Sequence, residues 1–242
     1  TIWPDQLETH LEQVHPRFPR TVPSHRGHPA VQETLHCHLA AFRTARRHIY
    51  IENQFLTSRT LVDELCRRLR SDDGPEVVVV TIERSRDWLA RAAMDVVRTR
   101  EMDRLRGADT HGRLRFYYPV NAGVPIYVHS KVTVVDEQFL YAGSANLTNR
   151  SMSLDTECGV VVQGDDPRLA RSIRGLRDQL LAEHLAVHPE AFSDEIESRG
   201  SLIAAIEKLI GSERTLVELD DDGPHLLEEA MPASKILDTE RP

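Results

Sequence analysis

Residues 128–151 read VHSKVTVVDEQFLYAGSANLTNRS, and this stretch decides how the rest of the chain is read. β-Branched and aromatic residues fill 126–135 and 138–146, and Asp136-Glu137 separates them. That pattern predicts two neighbouring antiparallel strands joined by a short polar turn. Side chains alternate along a strand, so His129, Lys131 and Thr133 are expected on one face. With pairing symmetric about the turn, 135 faces 138, 133 faces 140, 131 faces 142 and 129 faces 144. Ser144 then lies across from His129, and Asn146 follows on the same face. A four-residue loop keeps that register, whereas a three-residue loop would break it.

An imidazole, an ammonium, a hydroxyl and a carboxamide on one sheet face suit an oxyanion with spread charge. Lysine brings a compact positive charge, and Ser and Asn bring neutral donors. Histidine can act as nucleophile, base or acid near neutral pH. Asp136 has the wrong parity to join that face and reads as the turn residue. Glu157 opens the apolar run CGVVV, and a carboxylate there needs a partner. One such partner is the His129 imidazole, held by Glu157 in one tautomer. A lone His-x-Lys is ordinarily a solvated strand face. The Gly-Ser-x-Asn return strand, 143–146, weighs against that here.

Outward from this stretch, strands and helices alternate. A helical pattern runs from Pro29 through AVQETLHCHLAAFRTARR, then a strand at 48–53, and a helix at 58–71 capped by Thr57 or Ser58. The apolar run 76–83 reads as a strand buried on both faces. A helix over 86–106, strands at 113–120 and 157–163, and helices near 166–185 and 201–210 complete the pattern. Such alternation predicts an α/β fold, a mixed β-sheet flanked by helices on both faces. Residues 1–28 carry four prolines and four histidines without periodicity, and read as an extended lead-in or linker. The division expected is 1–28 lead-in or linker, 29–190 the α/β unit that carries the stretch above, and 191–242 C-terminal helical extension and tail, with disorder near Asp220–Gly223.

Composition narrows the choices. The chain has 242 residues, 40% hydrophobic, with a net charge of −8, a poor footprint for wrapping nucleic acid through its phosphates. No apolar run approaches the roughly 18 residues of a membrane span. Cys37, Cys66 and Cys158 are too few and too dispersed for a disulfide framework, and fit free thiols; an exported chain with one bridge is the weaker reading. The chain begins at Thr1 and shows no signal peptide, which suggests a fragment or a trimmed product. Only Lys131, Lys208 and Lys235 are lysines among 30 basic residues, as in a GC-rich bacterial genome. A lysine beside reactive groups is therefore informative.

The stretch resembles the signature of the phospholipase D superfamily: His-x-Lys, four residues, Asp, six residues, Gly-Ser. His129, Lys131, Asp136, Gly143 and Ser144 match every fixed position. Asn146 and Glu157 stand where that family's active-site Asn and Glu are expected. IYIENQF (49–55) looks like the Ile-Glu-Asn-Gln strand in the C-terminal half of phospholipase D enzymes, and SMSLDTECGVVV like the segment after their second motif. The resemblance covers roughly residues 29–185. It implies an α/β sandwich and metal-independent, cofactor-free phosphodiester cleavage in two displacements through a phosphohistidine. His129, Lys131, Asp136 and Glu157 would be catalytic; Ser144, Asn146 and Gln54 would bind substrate.

That mechanism needs two motifs, because one imidazole cannot attack phosphorus and protonate the opposite leaving group in one in-line step. Neither Lys208 nor Lys235 is preceded by a histidine two residues back. Allowing arginine, His15-Pro-Arg17 and His111-Gly-Arg113 lack the following Asp. The chain holds one motif. It is either the C-terminal half of a two-motif enzyme, which IENQF and the missing Met favour, or it pairs with itself. In the first case His129 is the general acid. The expected partners are thus a phospholipid or other phosphodiester and a second motif-bearing half. The expected location is cytoplasmic or peripheral to a membrane. Alternatives are a homodimeric nuclease and a non-catalytic assembly domain.

Other features carry less. His36 and His38 point about 200° apart on a helix and cannot chelate one ion. Asn53 and Gln54 either reach the site or cap the helix at 58, and Tyr127 either walls the pocket or packs. Asp220–Asp222 read as an acidic surface run, and Trp3 and Trp88 as packing residues.

Overall fold

The computed structural model describes residues 10–85 and 94–220. Its strands are β1 (Arg20–Val22), β2 (Val31–Gln32), β3 (His48–Asn53), β4 (Glu76–Val80), β5 (Leu114–Asn121), β6 (Val124–Pro125), β7 (Lys131–Val135), β8 (Phe139–Gly143), β9 (Glu157–Gln163) and β10 (Arg214–Glu218). Its helices are α1 (Glu33–Thr44), α2 (Arg59–Arg70), α3 (Val96–Ala108), α4 (Asn149–Ser153), α5 (Pro167–Leu185), α6 (Pro189–Arg199) and α7 (Leu202–Leu209). The strands form one sheet in the order β10-β5-β4-β3-β7-β8-β9-β1-β2, with β6 beside β5. β3, β4 and β5 run parallel, while β7, β8 and β9 are antiparallel neighbours. The fold is the mixed α/β sheet expected.

Alternation along the central strands makes two cores. Ile49, Ile51, Val77 and Val79 pack under α1, α2 and α3. Tyr50, Val78, Val80 and Val134 pack under α5, α6 and α7. The Val77–Val80 run of β4 is therefore covered on both faces, as its apolar sequence predicts.

Several boundaries move. β4 stops at Val80 rather than 83, and α1 begins at Glu33 because Val31–Gln32 pairs with β1. β7 starts at Lys131, so 126–130 lie outside strands. The lead-in contributes β1, which pairs with β9, and the C-terminal segment contributes α6, α7 and β10, which pairs with β5. Ser58 occupies the N-cap position of α2 without a side-chain cap bond; Asn149 Oδ1 accepts the Arg59 N–H instead, at 3.1 Å. Trp3, Trp88, the first part of the 86–106 helix and the tail after Asp220 fall outside the described residues.

The hairpin register also differs from the expectation. Val135 pairs with Phe139, Thr133 with Tyr141 and Val132 with Ala142, so Asp136, Glu137 and Gln138 make a three-residue loop. Asp136 sits at φ 49°, a left-handed conformation that Asp tolerates. Its carboxylate accepts the backbone N–H groups of Arg46 (2.9 Å), Arg47 (2.8 Å) and His48 (2.9 Å). The turn residue therefore fastens the hairpin to the start of β3, not only to itself.

Asn tolerates the left-handed backbone too, so Asp136→Asn keeps the turn but removes the charge and sets an NH2 group against one of the backbone N–H groups. Urea unfolding should show a loss of about 1–3 kcal/mol. An unchanged midpoint would refute the fastening role.

His38 and His48 supply an acid sensitivity. Burial pushes both imidazoles down to about 4; at His48 the nearby Arg177 and Arg47 guanidiniums add to this. Both stay neutral in the fold and take up a proton on unfolding below about pH 6.5. Stability therefore falls as pH drops from about 6.5 towards about 4. At pH 5 each histidine should cost about 2 kcal/mol relative to pH 7.5, read as a pH series of unfolding midpoints.

Candidate functional site

The site forms at one end of the sheet, where β3 and β8 finish and β7 and β9 begin. Asn53 pairs with Lys131, and Gly143 with Gly159. Asn53, Lys131, Gly143, Gly159 and Glu157 share the sheet face that holds Ile51, Thr133, Tyr141 and Val161.

Lys131 is buried, with 7% exposed, and its ammonium donates to the His129 carbonyl at 2.8 Å. Burial pulls its pKa below the ordinary lysine value, and the nearby Glu157 carboxylate acts in the opposite sense. An ammonium has three donors, so two remain for a guest. The Ser144 hydroxyl donates to Glu157 and sits 3.3 Å from the Cys158 carbonyl. The Cys158 N–H donates back to Ser144 Oγ at 3.2 Å. Glu157 therefore receives Ser144, not the imidazole expected. His129 is exposed, and among the described residues its ring has no hydrogen-bond partner.

The register explains the difference. With pairing displaced by one residue, Ser144 no longer stands across from His129, and Lys131 falls opposite Gly143. The site is assembled where strands end rather than across a regular ladder. Asp136, expected among the catalytic groups, lies at the far end of β7 with its carboxylate committed to 46–48.

Asn53 does not cap α2. Its Nδ2 donates to the Ala145 carbonyl (3.3 Å), and its Oδ1 accepts from Phe55 (3.2 Å) and Leu147 (3.4 Å). It thereby clamps the backbone around Asn146, whose own Oδ1 is buried with no hydrogen-bond partner. The Gln54 amide donates to the Tyr127 hydroxyl at 2.8 Å. Gln54 thus tethers the approach to His129, while Tyr127 packs beside the α5–α7 core.

Sequence reasoning missed Glu52, Ser130 and His184. Glu52 is 6% exposed and accepts from Ser130, from Tyr50 Oη at 2.6 Å and from His184 Nε2 at 3.2 Å. Burial alone would raise the Glu52 pKa, but His184, Ser130 and Tyr50 together hold it below the usual carboxylate value. A carboxylate inside the wholly buried HIYIEN strand was the available signal.

Among the described residues, no group of three or more His, Cys, Asp or Glu side chains could hold a metal ion. His38, in the His-Cys-His run, instead meets the Thr34 carbonyl (2.8 Å) and Thr133 Oγ1 (3.3 Å). The three cysteines are free thiols, and no described helix is long and apolar enough to cross a membrane. A cavity of about 570 Å³ lies between residues 17–19, α1 and the β8–β9 edge, and touches none of the motif side chains.

A family model described as "Cardiolipin synthase, PLD-like domain" matches residues 39–178, more than half the chain. The chain belongs to the phospholipase D superfamily. This superfamily chain is 37% identical over 95 residues to phospholipase D zeta 2 of Arabidopsis thaliana, covering 34% of itself and 9% of that protein. It is 35% identical over 91 residues to phospholipase D alpha 2 of Brassica oleracea var. capitata, covering 35% of itself and 11% of that protein. It thus spans about a tenth of the length of these plant relatives. Its fold is similar to that of phosphatidylserine synthase from Haemophilus influenzae Rd KW20, with a TM-score of 0.51 and 17% identity over 69% of this chain and 38% of that one.

The motif's Gly143 has a steric reason. A Cβ there would meet Tyr141 Oη at 2.5 Å, Gly159 Cα at 2.7 Å and the Cys158 carbonyl at 2.8 Å. Two of those neighbours are backbone and cannot swing away. Gly143→Ala should destabilise by about 1–3 kcal/mol, measured by thermal unfolding. A variant as stable as the parent would contradict this close approach.

Proposed function

We propose that this chain is one motif-bearing half of a phospholipase D-type phosphodiesterase that hydrolyses or transfers phosphatidyl groups without a metal. The carrying observation is the buried Lys131 ammonium, which keeps two donors unspent beside the exposed His129 and the Ser144–Glu157 pair. A phosphoryl oxygen is a fitting acceptor for those donors.

In this reading the nucleophilic imidazole comes from a second motif, on a preceding half or on a second copy. It attacks phosphorus and forms an N–P bond as the P–O bond to the alcohol breaks. His129 gives its proton to the departing alkoxide. Water or another alcohol then attacks the phosphohistidine, the neutral His129 takes up a proton from that attacking hydroxyl, and the N–P bond breaks. Lys131 and Asn146 face the developing charge on the phosphoryl oxygens. Ser144 is a substrate contact whose hydroxyl Glu157 orients, and Gln54 holds the Tyr127 side of the entrance. Asp136 supports the motif from the opposite strand end. The reading extends to a bacterial origin, from the arginine usage, and to a place in the cytoplasm or at a membrane surface.

The test uses the longest natural chain containing this sequence. Turnover of phosphatidylcholine and of DNA is compared with EDTA present, with His129→Ala as control. Phosphatidylcholine turnover that survives EDTA and falls at least about 10³-fold in His129→Ala supports the proposal. DNA turnover alone points to the nuclease, and full turnover in His129→Ala to an assembly domain. Robust activity from residues 1–242, shown monomeric by sedimentation, would overturn the half-site reading.

A further inference from the structure

We propose that Glu52 and His184 are positioning residues for the His129–Lys131 segment, acting through the Ser130 hydroxyl. This rests on the catalytic reading of His129 only where turnover is measured.

Glu52 lies near the end of β3, paired with Val132 of β7. Alternation turns Glu52 to the α5 face, with Tyr50, while Lys131 and Asn53 take the other. Ser130 follows the same logic: standing between the two motif residues, it turns to the α5 side and donates to Glu52 Oε1. The other carboxylate oxygen accepts from Tyr50 Oη and from His184 Nε2, which projects from α5. The carboxylate is thus a fork with one prong on the motif and the other on β3 and α5.

Residues 126–130 have no strand pairing to fix them. The Ile126 N–H on the Pro119 carbonyl, the Gln54–Tyr127 bond and the buried Val128 hold the segment before His129, while the Ser130 bond ties the residue after it from behind and the Lys131–His129 carbonyl bond ties it in front. Neither Glu52 nor His184 faces the oxyanion side, so neither is placed to touch substrate. Their effect passes through the angle at which His129 is presented. A displacement of about 1 Å at a reacting group can cost about 10²-fold in rate.

Two measurements test this. In histidine-labelled NMR of this chain, with the His129 ring assigned through His129→Gln, Ser130→Ala and Glu52→Gln should shift the His129 ring signals. Ser130→Thr, which keeps the hydroxyl, should restore them. In the longest natural chain, Ser130→Ala and Glu52→Gln should each lower kcat by about 10- to 100-fold with KM within about twofold. Their double variant should be no worse than the weaker single, because both break one bond. Unmoved His129 signals with only a lowered melting temperature, or strictly multiplicative rate losses, would overturn the proposal. If the parent shows no turnover, the catalytic reading fails, and the NMR comparison still decides this one.

Discussion

The Asp136 carboxylate joins two strands that neighbour each other in space and lie far apart in the chain. It gathers three consecutive backbone N–H groups, at 46–48, just where β3 begins. That contact aligns the end of β7 with the start of β3, so the opposite ends meet as Asn53 against Lys131. The span from Asp136 to Lys131 is roughly 17 Å. A one-residue slip of β7 against β3 would send the lysine to the α5 face, away from Asn53. The carboxylate thus sets the location of a cation it never touches, and this accounts for an aspartate at a fixed distance from His-x-Lys.

Backbone approaches carry the rest of the site. Tyr141 passes over β9 so closely that a Cβ on Gly159 would fall 2.3 Å from its ring. Gly143 and Gly159, paired directly, leave room for that ring and bring Ser144 against the 157–158 backbone. Asn53 then draws 145–147 in with two hydrogen bonds, to the Ala145 carbonyl and from the Leu147 N–H. Asn53 spends its bonding on main chain. Spare capacity is left on the His129 ring and the Lys131 donors, and the buried Asn146 Oδ1 and Tyr141 Oη have no hydrogen-bond partner among the described residues.

How much of this was legible follows from range. The hairpin, β3, the doubly buried β4 and the two-faced sheet rest on local periodicity, which the chain states openly. Lys131 and Ser144 both come near Glu157 even though the assumed register was wrong by one residue, and His129 stands two residues before Lys131 with its carbonyl bonded to that lysine. The error lay in the turn: Gln138 joins Asp136-Glu137 in the loop because Asp136 reaches across to 46–48, a partner no local pattern announces. Asn53 and Gln54 look like caps by position, yet their acceptors and donors sit on 145–147 and Tyr127. Glu52 was legible on the reasoning applied to Glu157, a carboxylate in an apolar strand. His184 was not, since a histidine late in an amphipathic helix ordinarily faces the helix C-terminus.

Lys131 is where energetics and function meet. Withdrawing an ammonium from water costs several kcal/mol unless its donors are met. One carbonyl and a neighbouring carboxylate offset part of that. A helix-lined core would have replaced such a lysine with a hydrocarbon; here the shortfall persists at the surface end of the sheet, beside an imidazole without a partner. On the proposed function, an anionic guest would remove the shortfall on arrival and gain most when its charge is greatest, as in a five-coordinate phosphoryl group. Among the described residues the motif offers one ammonium and one imidazole, and in the proposed reading the attacking group opposite the departing one comes from a second motif outside this sheet. The exposure of His129 leaves that approach open.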